Sequence, residues 1–502
     1  MNDAIKTVES APRPNRAPQL ITYADRLGGD IDGVATLLDG AFSGAFGGVH
    51  LLPFYVPIDG SDAGFDPDDH TAVDPRIGTW EDISELSQRY EVMADLIVNH
   101  VSAGSDQFQD WLSHGDSSPS AALFLTPERV YGGQPSPADI AAVYRPRPTS
   151  PFTSIQFADG RERQVWTTFT DRQIDIDVEN ESGWAYLTSI LDKFGESNVS
   201  IVRLDAVGYA IKRAGTSCFM LPETFEFIER LTAECHRRGI KVLVEIHGHH
   251  QDQIAIAGQV DMVYDFALPP LVLDALFTGD ATPLKRWIEM RPTNAMNVLD
   301  THDGIGVIDV GVDQRNPERG SLLPPDRIHA LVEGIHERSG DTSRAATGAA
   351  ASNLDLYQVN CTFYDALGRD DDRYLAARMV QLLLPGISQI YYVGLLAGTN
   401  DMELLAATGG GRDVNRHHYS PTELDHDLQR PVVRRLIDML RWRASAPEFD
   451  GSFELLDSPD HEIAIRWSTT ASTLTVTVDV ATGQVHSDPP LPPLPPLPQV
   501  PA

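Results

Sequence analysis

Three acidic residues follow runs of apolar residues in this sequence. Asp205 ends Ile201-Val-Arg-Leu-Asp205, Glu245 ends Val242-Leu-Val-Glu245, and Asp303 ends Val298-Leu-Asp-Thr-His-Asp303. An unpaired charge beside a buried strand is costly, so carboxylates at these positions are expected to have a use. The chain between successive acids is long enough for a helix and a return strand, and catalytic side chains of (β/α)8 barrels lie at the C-terminal strand ends. Carboxylates grouped in this way are suited to cleaving a sugar bond through a cationic transition state.

Each acid taken alone has a simpler explanation. Asp205 could cap a barrel strand or pair with Arg203, two residues before it. The set favours catalysis over that explanation, because three strand ends of one barrel each carry an acid and a polar neighbour. These neighbours are Arg203, His247 and His302.

Length and charge limit the function further. The chain has 502 residues, 42% of them hydrophobic, whereas a minimal (β/α)8 barrel needs roughly 250, so inserted or added domains are expected. The net charge is −33, from 72 acidic and 39 basic residues. Such a surface repels phosphate backbones and anionic lipids, which argues against nucleic acid and membrane partners.

The cysteines and the first residues indicate the compartment. Only Cys218, Cys235 and Cys361 occur, without a CxxC pair, so we expect no structural disulfides and a reducing environment. Residues 1–16 lack the apolar core of a secretory signal, and no segment approaches the ~20 apolar residues of a membrane span. The sequence therefore predicts a cytoplasmic protein.

The pattern of elements predicts an α/β fold: a (β/α)8 TIM barrel with two inserted loop-rich subdomains and a small C-terminal all-β domain. The predicted barrel strands are Gln19–Ala24, Gly47–Tyr55, Glu91–His100, Val199–Asp205, Lys241–His247, Asp261–Ala267, Asn297–Asp303 and Ser388–Val393. The predicted boundaries are a flexible leader 1–18, barrel 19–99, insertion 100–178, barrel 179–304, second insertion 305–367, barrel 368–446, β domain 447–487 and a proline-rich tail 488–502. A solvated tail is favoured over a PxxP ligand.

Four motifs occur in the order typical of one superfamily. They are Asp95-Leu-Ile-Val-Asn-His100, Val202-Arg-Leu-Asp-Ala206, Val244-Glu-Ile-His247 and Leu299-Asp-Thr-His-Asp303. Through them the chain resembles the α-amylase superfamily. Further stretches resemble the sucrose phosphorylase family within it, over a length from about Gln19 to the terminal domain. These stretches are Asp62–Asp66, Leu204–Met220, Ala349–Gln358 and Gly411–Arg416.

The resemblance implies a reaction and three catalytic roles. Sucrose and phosphate would give α-glucose 1-phosphate and fructose, with retained configuration, through a glucosyl-enzyme. Asp205 would be the nucleophile, Glu245 the general acid and then base, and Asp303 the transition-state stabiliser. Retention needs one ionised and one protonated carboxyl about 5 to 5.5 Å apart. We expect Arg203 to hold Asp205 ionised and Glu245 to keep a raised pKa.

The resemblance also implies substrate contacts. The glucosyl unit would be held by hydroxyl-binding groups between two apolar walls, namely Asp62, His100, His302 and Arg412 with Phe65 and Phe169. Acceptor-side loops, where fructose and phosphate exchange, would supply Tyr144, Arg147, Asp355, Leu356, Tyr357 and Gln358. Arg203, Tyr209 and His247 complete the expected substrate-binding set. Arg147 is the candidate for phosphate, although a surface salt bridge is the default role of a loop arginine.

No cofactor or metal is expected, since Asp66-Pro-Asp-Asp-His70 lacks EF-hand spacing. The family resemblance suggests a homodimer. Gly248-His249-His250, beside the second motif, departs from the family pattern and could change the acceptor. Related phosphorylases use sucrose 6′-phosphate, glucosylglycerol or glucosylglycerate, and fold alone does not choose among them.

Two other functions are weighed against phosphorolysis. A sucrose hydrolase or transglucosidase would not need Arg147 and the loop Asp355–Gln358, both of which are present. A non-catalytic barrel subunit would have lost a catalytic carboxylate, and all three are retained here.

Overall fold

A computed structural model describes residues 17–60, 62–147, 149–313, 316–348 and 357–490. Eight parallel strands form a closed barrel in which each strand pairs with the next along the chain and the last pairs with the first. The strands are β1 Gln19–Thr22, β2 Gly48–Leu51, β3 Glu91–Ile97, β4 Ile201–Asp205, β5 Lys241–Val244, β6 Met262–Asp265, β7 Ala295–Asn297 and β8 Ile387–Tyr391. The predicted TIM barrel is confirmed.

One strand differs from the sequence-based expectation in a way that matters for the site. β7 ends at Asn297, so the prediction that it continues to Asp303 is wrong. Val298 and Leu299 are fully buried but make no sheet pairing, and apolar character alone does not distinguish a strand from a buried loop. Asp303 therefore lies on the loop after β7 rather than on its last residue.

The 16-residue helix that precedes β4 is amphipathic. Glu181–Glu196 begins after Asn180, whose side chain accepts the Ser182 N–H, and it buries Leu187, Ile190, Leu191 and Phe194 at helical spacing. The α-helices are Ile31–Asp39, Trp80–Ser87, Asp106–His114, Pro127–Tyr131, Pro137–Ala142, Glu181–Glu196, Pro222–His236, His250–Ala257, Leu268–Thr278, Thr282–Met290, Pro325–Arg338, Thr342–Thr347, Phe363–Ala366, Asp371–Leu383, Tyr392–Leu395, Met402–Thr408, Pro421–Asp427 and Pro431–Ser445. Among the described residues, none of them has the length and apolar character needed to cross a membrane.

Two segments between barrel strands cover the C-terminal rim. Between β3 and β4, antiparallel pairs join His100–Ser102 to Gln173–Asp175 and Phe152–Gln156 to Glu162–Trp166. Between β7 and β8, Ile305–Gly306 pairs with Gln358–Val359. A third small pair, Tyr55–Val56 with Asp69–Val73, follows β2.

The chain ends in the all-β domain that the alternating pattern predicts. Its antiparallel strands are Ser452–Leu456, Glu462–Ser468, Thr473–Asp479 and Val485–Asp488. It is anchored to the barrel by Trp467, whose indole N–H donates to the Leu383 carbonyl at 2.8 Å. The leader as far as residue 16 and the tail from residue 491 lie outside the described residues.

Candidate active site

A pocket opens at the C-terminal end of the barrel and brings the three acids together. Asp205 is the last residue of β4, Glu245 directly follows β5, and Asp303 lies on the loop after β7. The pocket has about 600 Å³ of space when its open mouth is included. It is lined by Asp62, Phe65, His100, Pro146, Phe169, Gln173, Asp205, Ala206, Gly208, Tyr209, Phe219, Glu245, Ile246, His247, His302, Asp303, Tyr357 and Arg412.

Most residues expected at the site line this pocket, and the others have different positions. Tyr144 lies behind the wall, where its ring packs 4.8 Å from that of Phe219. Gln358 is buried, and its side-chain oxygen accepts the Gly304 N–H. Arg203 lies beneath the acids, and Arg147 lies next to the lining residue Pro146. Asp355 and Leu356 fall outside the described residues.

Some lining residues were not anticipated from the sequence. They are Pro146, Gln173, Ala206, Gly208, Phe219 and Ile246. Ala206, Gly208 and Phe219 lie within the stretch after Asp205 that resembles the phosphorylases, so this resemblance could have identified them as site residues. Pro146 and Gln173 come from the first insertion, where no periodicity marks an inward-facing side chain.

Arg203 connects two of the acids. One guanidinium nitrogen donates to the Asp205 carboxylate at 2.8 Å, and the other lies 3.3 Å from Glu245. Burial, Glu245 and other nearby carboxylates raise the pKa of Asp205, while Arg203 opposes them. Ionisation of Asp205 therefore depends on its contact with Arg203, and the expectation that this contact alone keeps the pKa of Asp205 low is not met.

The guanidinium of Arg203 is itself held from below. Asp95 accepts from it at 2.5 Å, and Asp95 also bonds the His50 ring at 2.9 Å. Burial would raise the pKa of Asp95, but His50 and Arg203 outweigh that effect and lower it to about 2. A buried network of this kind fixes the orientation of Arg203.

Asp303 has a guanidinium partner of its own. Arg412 lies 2.6 Å from the Asp303 carboxylate and 3.8 Å from that of Asp62, and Arg416 lies 3.3 Å from Asp62. Despite burial, Arg412 and neighbouring cations lower the pKa of Asp303 far below its usual range. Arg416, Arg412 and Arg147 similarly lower the pKa of Asp62 to about 2. Both carboxylates are therefore ionised hydrogen-bond acceptors.

Two histidines supply neutral rings. His302 stacks on Phe65 with ring centres 4.7 Å apart, and burial lowers its pKa to about 3. His100 bonds the Phe65 carbonyl at 2.9 Å and packs 5.3 Å from Phe169, and burial lowers its pKa as well. Aromatic faces beside neutral imidazoles and ionised carboxylates suit a polyhydroxylated ring.

His247 is different because it faces two acids. Its Nδ1 bonds Asp309 at 3.2 Å, and its Nε2 lies 3.8 Å from Glu245. Burial favours the neutral ring, but Asp309 with Glu245 and Asp303 outweighs it and raises the pKa of His247. The sequence did not single out Asp309, which lies in the second insertion.

In the segment Gly248-His249-His250, neither histidine ring lines the pocket. His249 bonds the Gly320 carbonyl at 2.9 Å, and the His250 ring is 5.9 Å from that of Trp287. The segment thus secures the second insertion against the barrel, and any effect on the acceptor would be indirect.

Two groups of side chains among the described residues have metal-ligand spacing. In the pocket, ligand atoms of Glu245, His247 and Asp303 lie within 4.8 Å of one another, and on the surface His461, Glu462 and Asp479 do so. In the pocket group, Arg203 and Arg412 already engage the two carboxylates. A metal ion would have to displace these guanidinium groups or share their charge, which the site does not favour.

Comparisons with known proteins agree with this geometry. The α-amylase catalytic-domain family model matches residues 7–222. The chain is 56% identical to a sucrose phosphorylase from Agrobacterium vitis, over 90% of this chain and 92% of that one. It is 52% identical to a sucrose phosphorylase from Bifidobacterium adolescentis, over 93% of this chain and 92% of that one. The crystal structure of a sucrose 6F-phosphate phosphorylase from Thermoanaerobacter thermosaccharolyticum superposes with a TM-score of 0.88 at 36% identity, covering 95% of this chain and 96% of that one.

Proposed function

The chain belongs to the sucrose phosphorylase family of α-amylase-type barrels, and on that premise we propose that it converts sucrose and inorganic phosphate into α-D-glucose 1-phosphate and D-fructose. The observation that carries the proposal is the joint engagement of Asp205 and Glu245 by Arg203, with Asp303 paired to Arg412 in the same pocket. This is the set of charges that a retaining displacement at a sugar carbon needs.

The first half of the reaction forms a glucosyl-enzyme. Asp205 attacks the anomeric carbon of the glucosyl unit while the bond from that carbon to the fructosyl oxygen breaks. Glu245 gives its proton to that oxygen, so fructose leaves as a neutral sugar. Arg203 contacts both acids and stabilises the carboxylate of Glu245 that results.

The second half regenerates the enzyme. A phosphate oxygen attacks the same carbon from the face that fructose left, the bond to Asp205 breaks, and its carboxylate is restored. Glu245 takes up the proton of the attacking phosphate if it carries one. Two inversions give net retention. Ionised Asp303 stabilises the positive charge on the sugar ring in both transition states.

We assign the substrate contacts from their positions in the pocket. Asp62, His100, His302 and Arg412 hold the glucosyl hydroxyls, between the faces of Phe65 and Phe169. The acceptor side is formed by Tyr209, Phe219, Ile246, His247 and Tyr357, with Tyr144 behind them. These side chains are mostly apolar or aromatic, which suits a neutral fructosyl unit better than a phosphorylated one.

Arg147 is our candidate for binding phosphate at the acceptor side. Its guanidinium donates to the Pro146 carbonyl at 3.1 Å, and Pro146 lines the pocket. Burial and the nearby Arg412 lower the pKa of Arg147, whereas Asp62 and Asp303 raise it. An arginine held close to other cations gains from binding an anion.

The test is to incubate the purified protein with sucrose, with and without inorganic phosphate, and to quantify glucose 1-phosphate, glucose and fructose. We expect glucose 1-phosphate in amounts equal to fructose, and only when phosphate is present. Equal glucose and fructose irrespective of phosphate would instead show a hydrolase. No release from sucrose, with phosphate-dependent release from sucrose 6′-phosphate, glucosylglycerol or glucosylglycerate, would reassign the acceptor and overturn sucrose as the substrate.

We also propose that the enzyme works in the cytoplasm as a homodimer. All three cysteines are buried free thiols, which suits a reducing compartment. The dimer is inferred from the family resemblance. Size-exclusion chromatography with light scattering tests it, and the mass of a single chain would refute it.

A further inference from the structure

Asp309 is a fully buried carboxylate with an unusual set of partners. It does not lie in a barrel strand, and it bonds none of the residues that we assign to binding the glucosyl unit. Its oxygens accept from the Gly248 N–H at 3.1 Å and from the Gln253 side chain at 3.0 Å, and they bond His247 Nδ1 at 3.2 Å. Among the described residues, no arginine or lysine lies within ion-pairing distance of it. The His247 ring is therefore its one candidate for a cationic partner there.

The bond to Asp309 fixes the direction of the His247 ring. The ring stacks on Phe266 with centres 3.8 Å apart, so it cannot easily rotate out of this position. Its second nitrogen, Nε2, is buried at the pocket wall without a hydrogen-bond partner in the described structure. An unmatched nitrogen at a pocket wall is suited to meeting a ligand atom.

The charge on that ring matters for the acceptor. Glu245, 3.8 Å from Nε2, loses its proton as fructose leaves, and the next species to enter is an anion. A carboxylate and a phosphate in one pocket repel each other unless a cation lies between or beside them. Asp309 on one side of the ring, with Glu245 and Asp303 on the other, favours the imidazolium form.

We propose that Asp309 is a positioning residue that makes the pocket prefer phosphate to water as the second acceptor. It does so by holding the His247 ring as a cation whose Nε2–H faces the acceptor side next to Glu245. The inference rests on the proposed phosphorylase reaction. Asp309 acts on the acceptor through His247 and does not itself touch the substrate.

The test compares Asp309→Asn with the wild type for acceptor choice. Asparagine keeps the size of the side chain and can still bond the ring, but it no longer stabilises its charge. Because hydrogen bonds from a charged donor are about twice as strong as neutral ones, we expect the KM for phosphate to rise by about tenfold. We also expect a larger fraction of the glucosyl-enzyme to be hydrolysed to glucose at a fixed phosphate concentration.

Two further variants separate positioning from structural damage. Gln253→Leu removes another partner of Asp309 without touching His247, so it should leave the phosphate KM and the glucose fraction unchanged. Gly306→Ala places a methyl carbon against the Asp309 carboxylate and 3.3 Å from His247 Nδ1, so it disrupts the bond between these residues and should shift both quantities in the same direction as Asp309→Asn. If Asp309→Asn does not fold, Gly306→Ala decides the question.

A double-mutant cycle and a direct spectroscopic readout complete the test. In a His247→Gln background, Asp309→Asn should have little additional effect, since the ring through which it acts is gone. Histidine NMR, assigned with His247→Gln, should show His247 titrating at a higher pH in the wild type than in Asp309→Asn.

The inference is overturned by an unchanged phosphate KM and glucose fraction in Asp309→Asn, by fully additive effects in the double variant, or by an unchanged His247 titration. A wild type that makes no glucose 1-phosphate would refute the proposed function instead.

Discussion

Lys212 joins the first insertion to the loop that follows the proposed nucleophile. Its ammonium group is buried and lies 2.8 Å from the Asp175 carboxylate and 2.9 Å from the Asn99 side-chain oxygen. It also donates to the Tyr209 carbonyl. Since Asp175 ends an insertion strand and Tyr209 lines the pocket, replacing Lys212 by methionine should loosen the insertion and the acceptor wall together.

The magnitude follows from what remains around Asp175. Removing one partner of a buried ion pair costs about 3 to 5 kcal/mol, because the other charge is left uncompensated. Asp175 keeps two hydrogen bonds from Thr168, at 2.9 Å from its N–H and 2.6 Å from its hydroxyl, so the lower end, about 3 kcal/mol, is expected. At 1.4 kcal/mol per factor of ten, this raises the opening equilibrium of the insertion by roughly a hundredfold.

Native-state proteolysis measures that opening. When opening and closing are fast relative to cleavage, the cleavage rate follows the open population, so Lys212→Met should be cut in the insertion roughly a hundred times faster than the wild type. The matched control is Lys212→Met with Asp175→Asn, which removes the stranded charge and should recover most of the loss. Equal cleavage rates for the single and double variants would refute the reasoning, because the cost would then not come from an uncompensated carboxylate.

Three other perturbations test the site itself. Asp205→Asn should lower kcat by about 10⁴-fold or more while the protein stays folded, and substantial residual turnover would show that another residue is the nucleophile. Arg412→Leu should raise the pKa of Asp303 from far below its usual range, so a second carboxylate should titrate beside Asp205 and the acid limb of the kcat/KM profile should become steeper; an unchanged slope would dissociate Asp303 from that profile. Gly208→Ala brings a methyl carbon to 2.8 Å from the Phe219 ring. We expect kcat/KM for sucrose to fall by about tenfold or more. A wild-type value would show that Phe219 can move to make room for the methyl group.

The sequence predicted the barrel because its strands are continuous apolar runs separated by amphipathic helices. The sequence pattern also predicts helices from Trp184 to Phe194 and from Pro222 to Arg238. The first lies inside the observed Glu181–Glu196, and the second ends two residues earlier, at His236. β7 was misjudged because buried loop and buried strand have the same composition. Sheet pairing, which depends on neighbours far along the chain, decides between them.

The acids of the site could be predicted for the same reason that the barrel could, since they follow its strands. Arg203 was expected beside Asp205, but the partners of the other acids could not be identified as such. Arg412 meets Asp303 because the loop after β8 folds over the rim, and Asp309 meets His247 because the second insertion does so. No periodic pattern encodes which side chain of such a segment points inward, so these contacts depend on tertiary structure.

The net charge of the whole chain and the local charges in the pocket affect an anionic substrate differently. A net charge of −33 would oppose an anionic substrate, but surface charges are screened over about 8 Å at physiological ionic strength. Inside the pocket, screening is weak and each carboxylate must be balanced locally. Arg203 lies against Asp205 and Glu245, His247 lies 3.8 Å from Glu245, and Arg412 lies against Asp303. An anion entering this pocket meets acids that are already paired, and for that reason an acidic protein can use phosphate as its second substrate.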